Sequence, residues 1–159
     1  MSERIDYLAQ NPELFRKYYE FSQTVKKGGI EESLVHLVNV RASQLNGCAF
    51  CVDMHIKQAR LDGERELRLH HVAIWRESPL FGERERAALE WTEVMTHIPA
   101  QGVPDDLYAR MLGVFSEKEL VDLNYCVMLI NGWNRLNVPF RAVPGSKDKE
   151  FGLLKANLA

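Results

Sequence analysis

Arg41-Ala42-Ser43-Gln44-Leu45-Asn46-Gly47-Cys48-Ala49-Phe50-Cys51-Val52-Asp53-Met54-His55 closes one helix, breaks, and opens another. Upstream of the break, Ile30 to Leu45 sets Leu34, Leu37, Val38 and Leu45 on one flank, the three-and-four spacing of an amphipathic helix. Asn46-Gly47 ends that helix and can cap the next, which runs to Asp62-Gly63, so the cysteines enter at a helix start. Residues three or four apart share a helix face, and Cys48, Cys51 and His55 therefore line one edge.

Working outward, the same helical period recurs nearly everywhere and sustained two-residue alternation is missing, so the chain reads as an all-α domain. Asn11-Pro12 opens a helix that ends at Gly28-Gly29, with Pro12 at the first helical position. A shorter helical piece spans Glu64 to Trp75, and Ser78-Pro79 and Gly82 mark a loop. From Glu83 to about His97, Ala87, Ala88, Trp91, Val94, Met95 and Ile98 form a core-facing stripe. Asp105 to Gly113 gives a short helix, and Ser116-Glu117-Lys118-Glu119 matches a capping box leading into an apolar helix from Leu120 to about Asn137. Pro139, Pro144 and Gly145 then predict an irregular tail. The 159 residues are read as one domain over 1–159, with a core region of about 30–140 and a tail over 141–159.

Composition narrows the function. The formal net charge is −2, and the 20 Lys and Arg residues are spread along the chain, which leaves no electrostatic footprint for nucleic acid. No run approaches the roughly 20 apolar residues that span a bilayer, and the start lacks a signal-peptide pattern, so the expected location is the cytoplasm. Two of three cysteines in one short motif do not make a disulfide framework. In a reducing compartment such a pair reads as catalytic or metal-binding.

Only a thiolate attacks a peroxide or a disulfide, and the first turn of a helix stabilises one. Cys51 stands at i to His55 at i+4 and is the better partner for the imidazole, which leaves Cys48 to condense with an oxidised Cys51 and stop further oxidation. Such chemistry needs sulfurs within bonding reach, beside a basic nitrogen and reachable from outside. Zinc is the competing reading, since two thiolates and His55 are proper ligands, but a structural site needs a fourth. Val52 stands where a haem-attachment motif needs histidine, and the glycines form no dinucleotide fingerprint, so no bound cofactor is expected. Cys126 reads as a core thiol, Asp53 as a solvated or interhelical charge, and Asn131, Asn134 and Arg135 as helix-end capping and interhelical hydrogen-bonding groups.

The stretch 41–55, together with Trp75-Arg76-Glu77-Ser78-Pro79-Leu80-Phe81, Glu85-Arg86-Ala87-Ala88-Leu89 and Asn131-Gly132-Trp133-Asn134-Arg135-Leu136, resembles the alkylhydroperoxidase D (AhpD) and carboxymuconolactone decarboxylase group, in its redox-active branch. The resemblance implies an AhpD-like helical domain assembled as a trimer or hexamer, acting as a thiol-dependent peroxidase or disulfide oxidoreductase. Its substrate would be a small hydroperoxide or disulfide, and its reductant an external lipoyl or thioredoxin-like dithiol, with a peroxiredoxin as a physiological client. Cys48 and Cys51 match the redox pair and His55 the relay histidine. The family's relay glutamate, twelve positions before the first cysteine, is replaced by His36, an imidazole able to shuttle protons near neutrality; Glu32 is a substitute one turn earlier. Two rival functions are a lactone decarboxylase, as in the other branch, and a helical oligomer that senses oxidants.

Overall fold

The structure, a computed structural model, describes residues 2–156. Among the described residues eight α-helices follow one another: α1 (Tyr7–Gln10), α2 (Pro12–Val25), α3 (Glu32–Leu45), α4 (Ala49–Leu61), α5 (Glu66–His71), α6 (Glu83–Thr96), α7 (Asp105–Val114) and α8 (Glu117–Phe140), with 3-10 turns at Val72–Ile74 and Leu153–Ala156. No strand occurs among the described residues, so the all-α expectation holds. No described helix is long and apolar enough to cross a membrane.

Local chemistry sets the helix ends. Asn11 Oδ1 accepts the Leu14 N–H ahead of Pro12, and Ser116 and Glu119 close a reciprocal capping box on α8; each such cap stabilises its helix by about 1 kcal/mol. Helix α8 runs further than expected, through Pro139 to Phe140, with Arg141 in the left-handed region at φ 57°. Pro139 lacks the N–H for one intrahelical bond and crowds the carbonyl four residues back, at a point where the helix has one residue left to run. The freed end is then covered by the N-terminal segment, because the Arg4 N–H reaches Phe140 O at 2.9 Å and its guanidinium reaches Pro139 O at 3.2 Å.

Helix α3 is the centre of the bundle, packed on α4, α6 and α8. Its Leu37, Val38 and Val40 are wholly buried with Leu89 of α6 and Leu123 of α8. Several residues that carried the family resemblance prove to be structural. Arg41, Trp75 and Arg76 converge on Glu93, at 2.7, 2.8 and 2.6 Å; burial alone would raise the Glu93 pKa, but these three donors hold it below the usual carboxylate value. Arg86 donates to the carbonyls of Phe81, Arg76 and Ser78, tying down the loop before α6.

The tail over 141–156 consists of turns and one 3-10 segment and packs on α4. Lys57 on α4 bonds Asp53 at 2.8 Å and Asp148 of the tail at 2.7 Å, while the Gly145 N–H donates to Asp53. Asp53 thus serves as an interelement charge. Residues 157–159 of the expected tail lie outside the described residues.

Candidate functional site

The break between α3 and α4 is held from α8. Gly47 takes φ 65°, a conformation that favours glycine, and the Asn46 side chain beside it donates to both Asn131 Oδ1 at 2.9 Å and Asn134 Oδ1 at 2.8 Å. Asn131 also bonds Thr96, and Asn134 bonds Ser43; Arg135 donates to Asn131. Asn131 and Asn134 are interhelical hydrogen-bonding groups, as expected, whereas Arg135 bonds within α8.

The residue that caps α4 is Cys48 itself, not the Asn46-Gly47 pair. Its sulfur accepts the Cys51 N–H at 3.3 Å, which uses one of the unpaired donors of the first turn. Cys48 and Cys51 are joined in a disulfide with Cα atoms 5.3 Å apart, so the two sulfurs expected to meet do meet. Ala42, Ile130 and Phe50 pack around the bridge. Both cysteines are closed off from solvent, Cys48 being 2% exposed and Cys51 fully buried. This departs from the expected open access, because α8 and Phe50 cover what sequence alone presented as a bare helix start.

His55 is buried one turn beyond Cys51 on α4, and its Nδ1 lies 2.9 Å from Gln58 Oε1. Burial pushes the imidazole pKa down to about 4, against the opposing pull of the Gln58 bond and with help from His36 and Lys26 charges. The ring is therefore neutral at pH 7. An amide oxygen only accepts, so Nδ1 carries the hydrogen and Nε2 keeps its lone pair.

His36 is buried on α3, and its Nε2 lies 2.7 Å from Asp62 Oδ2 at the end of α4, so its hydrogen-bond partner is Asp62 and not His55. Asp62 thus sets a carboxylate beside position 36 from across the helix pair. The Glu32 carboxylate joins them, with ligand-type atoms of all three within 4.8 Å of one another.

A cavity of about 340 Å³ lies between α2, α4, α8 and the tail, walled by Phe50, Met54, His55, Trp133 and Asn137 among others. Tail residues Ser146 and Phe151 form part of its rim. Cys126 also faces it, with a thiol that burial, aided by the Asp122 charge, pushes up to about 11, so it stays protonated as an inert core group.

Three contributors were not singled out from the sequence: Gln58, Asn137 and Tyr7. Asn137 Nδ2 donates to Cys51 Sγ at 3.5 Å and to Trp133 O at 3.0 Å, while its Oδ1 accepts from the Tyr7 hydroxyl at 3.0 Å. A signal for Asn137 was present, since Asn131, Asn134 and Asn137 recur every three residues on α8, which stacks them along one helix face.

An all-helical domain with a disulfide at a helix N-cap, flanked by a neutral buried histidine, defines the class of protein. Residues 12–94 match the profile of the carboxymuconolactone decarboxylase family. The uncharacterized protein YdfG of Bacillus subtilis (strain 168) is 38% identical over 138 residues, covering 87% of this chain and 94% of its own. A protein of unknown function from Agrobacterium tumefaciens, proposed as the antioxidant defence protein AhpD, is 40% identical with a TM-score of 0.87, covering 90% of this chain and 98% of its own. At 20% identity, an uncharacterized peroxidase-related protein of Ralstonia eutropha JMP134, described as an alkylhydroperoxidase AhpD core, shares the fold with a TM-score of 0.78, over 89% of this chain and 75% of its own. The chain belongs to the carboxymuconolactone decarboxylase family, and its Cys48–Cys51 pair sets it with the AhpD-like branch.

Proposed function

We propose that the protein is a thiol-dependent hydroperoxide reductase or disulfide oxidoreductase that cycles between the Cys48–Cys51 disulfide and the dithiol. The observation that carries this reading is the bridge itself, set at the N-cap of α4 with His55 one turn away. In the reduced protein His55 Nε2 accepts the Cys51 proton as sulfur and peroxide meet, acting as a transient general base and not as a standing imidazolium, which its lowered pKa disfavours. The Cys51 thiolate attacks the terminal oxygen of a hydroperoxide, the O–O bond breaks, and the alkoxide leaves as an alcohol after taking the proton back from His55. The resulting Cys51 sulfenic acid condenses with the Cys48 thiol, forming the disulfide and expelling water. An external dithiol then supplies two electrons and two protons, becoming a disulfide itself. We assign His36, paired with Asp62, as the outer proton carrier of this relay.

The apolar cavity suits an organic hydroperoxide or the apolar ring of a lipoyl group more than a hydrophilic oxidant. With both sulfurs closed off, the cycle includes a side-chain opening at the cavity wall. A lipoyl or thioredoxin-like reductant, a peroxiredoxin client and a cytoplasmic setting belong to the same proposal. So does assembly into a trimer or hexamer, supported by the exposed apolar row of Val121, Tyr125 and Met128 on α8.

The order of the two sulfurs is tested by treating the Cys48→Ser variant with one equivalent of tert-butyl hydroperoxide and trapping the product with dimedone. Mass spectrometry is expected to place the adduct on Cys51. An adduct on Cys48 in the Cys51→Ser variant, with Cys51 unmodified in the other, would reverse the assignment.

A further inference from the structure

The polar environment of Cys51 extends beyond α4. Asn137 sits in the last turns of α8, 5% exposed, and spends both amide hydrogens, one on Cys51 Sγ and one on Trp133 O. That fixes the amide's orientation, because only the oxygen remains for Tyr7, and an amide oxygen can only accept. Tyr7 in turn is held in place: its ring packs 5.8 Å from that of Phe140, and Arg4 ties the same N-terminal segment to the end of α8. Burial, reinforced by the charges of Glu3 and Asp6, pushes the Tyr7 hydroxyl up to about 12, so it donates throughout the working range.

We propose that Tyr7 and Asn137 form a directed hydrogen-bond relay, Tyr7 to Asn137 to Cys51, that stabilises the Cys51 thiolate and so makes this sulfur the reactive one of the pair. In the disulfide the sulfur is a weak acceptor and the Asn137 bond contributes little. Once the bridge is reduced and Cys51 ionises, the same N–H meets a full negative charge, and a hydrogen bond to a charged acceptor is about twice as strong as a neutral one. The Tyr7 hydroxyl polarises the amide in the same sense, which strengthens the donor. Cys48 has its own donor, the Cys51 backbone N–H, so the side-chain relay distinguishes the two sulfurs. Asn137 is the group that touches the reacting atom; Tyr7 is a positioning residue acting through it. Both also line the cavity, which places the relay between the sulfur and the space a substrate would fill.

The inference rests on the thiolate reading of Cys51, and its test does not need peroxidase activity. In a Cys48→Ser background, thiolate absorbance near the ultraviolet edge is followed as pH rises, giving the Cys51 titration directly. Asn137→Ala is expected to move that titration up by about one pH unit, a tenfold loss of thiolate below the midpoint. Tyr7→Phe, which keeps the ring against Phe140, is expected to move it the same way by less, and serves as the probe if Asn137→Ala fails to fold. In a Cys51→Ser background the Cys48 titration is expected to stay put in both variants. An unmoved Cys51 titration in folded Tyr7→Phe and Asn137→Ala, or an equal shift of Cys48, would overturn the relay. A shifted titration in a protein that consumes no peroxide would support the relay while counting against the peroxidase reading.

Discussion

The Asn46 side-chain amide lies 2.8 Å from Asn134 Oδ1, and through this contact the long helix α8 holds the turn that delivers Cys48 to the head of α4. Asn134 is 1% exposed and passes its own N–H on to Ser43. Truncating it leaves the buried Ser43 hydroxyl without this donor and takes one of two acceptors from the half-buried Asn46 amide, which costs more than the bond itself contributes. Asn134→Ala is expected to lower unfolding free energy by about 2–3 kcal/mol in urea titrations, and the exposed Arg110→Ala control by far less. Equal effects would remove the asparagine anchor from the account.

His55 makes stability depend on pH. The folded imidazole stays neutral down to about pH 4, while in the unfolded chain it protonates near 6.5. Between those values the unfolded state binds more protons, so stability is fully present above pH 6.5 and falls as pH drops towards 4, by roughly 3 kcal/mol in total. Urea unfolding of the oxidised protein across this window is expected to show a steeper loss than His55→Gln shows. Parallel profiles would mean that the ring takes up its proton as readily in the folded as in the unfolded chain.

Gly132 makes room for another helix. A Cβ added there would overlap the Tyr18 hydroxyl and lie 2.9 Å from its Cζ, and that hydroxyl donates to Leu129 O at 2.8 Å. Alanine would gain up to about 1 kcal/mol of helix propensity, yet overpacking against a fixed ring outweighs it. Gly132→Ala is therefore expected to destabilise by about 2 kcal/mol in thermal or urea melts. Adding Tyr18→Phe removes the nearest atom and is expected to restore part of the loss, so the double variant is less destabilised than the sum of the singles. Strict additivity would contradict the steric explanation.

What the sequence revealed, and what it hid, follows from how local each determinant is. The Asn11-Pro12 start of α2 and the Ser116 to Glu119 box of α8 are written within four residues, and the structure returns both. The cysteine pair was equally legible, because three-residue spacing at a helix start already brings the sulfurs together. Pro139 misled, since its identity says that a helix is ending without saying whether one more turn can be accommodated. The polar surroundings of the site were out of reach. Tyr7 meets Asn137 across 130 residues and His36 meets Asp62 across 26, pairings set by how α1 docks on α8 and α3 on α4. The closing of the sulfurs was likewise invisible, for it depends on Phe50 and α8 packing over the bridge.

Repeated turnover tests the central claim most directly. With tert-butyl hydroperoxide as oxidant and dihydrolipoamide as reductant, the wild-type protein is expected to consume many equivalents of peroxide per chain, and Cys51→Ser none above background. A reaction that stops after one equivalent, or a Cys48→Ser/Cys51→Ser double variant that keeps pace with the wild type, would contradict a catalytic cycle built on this pair.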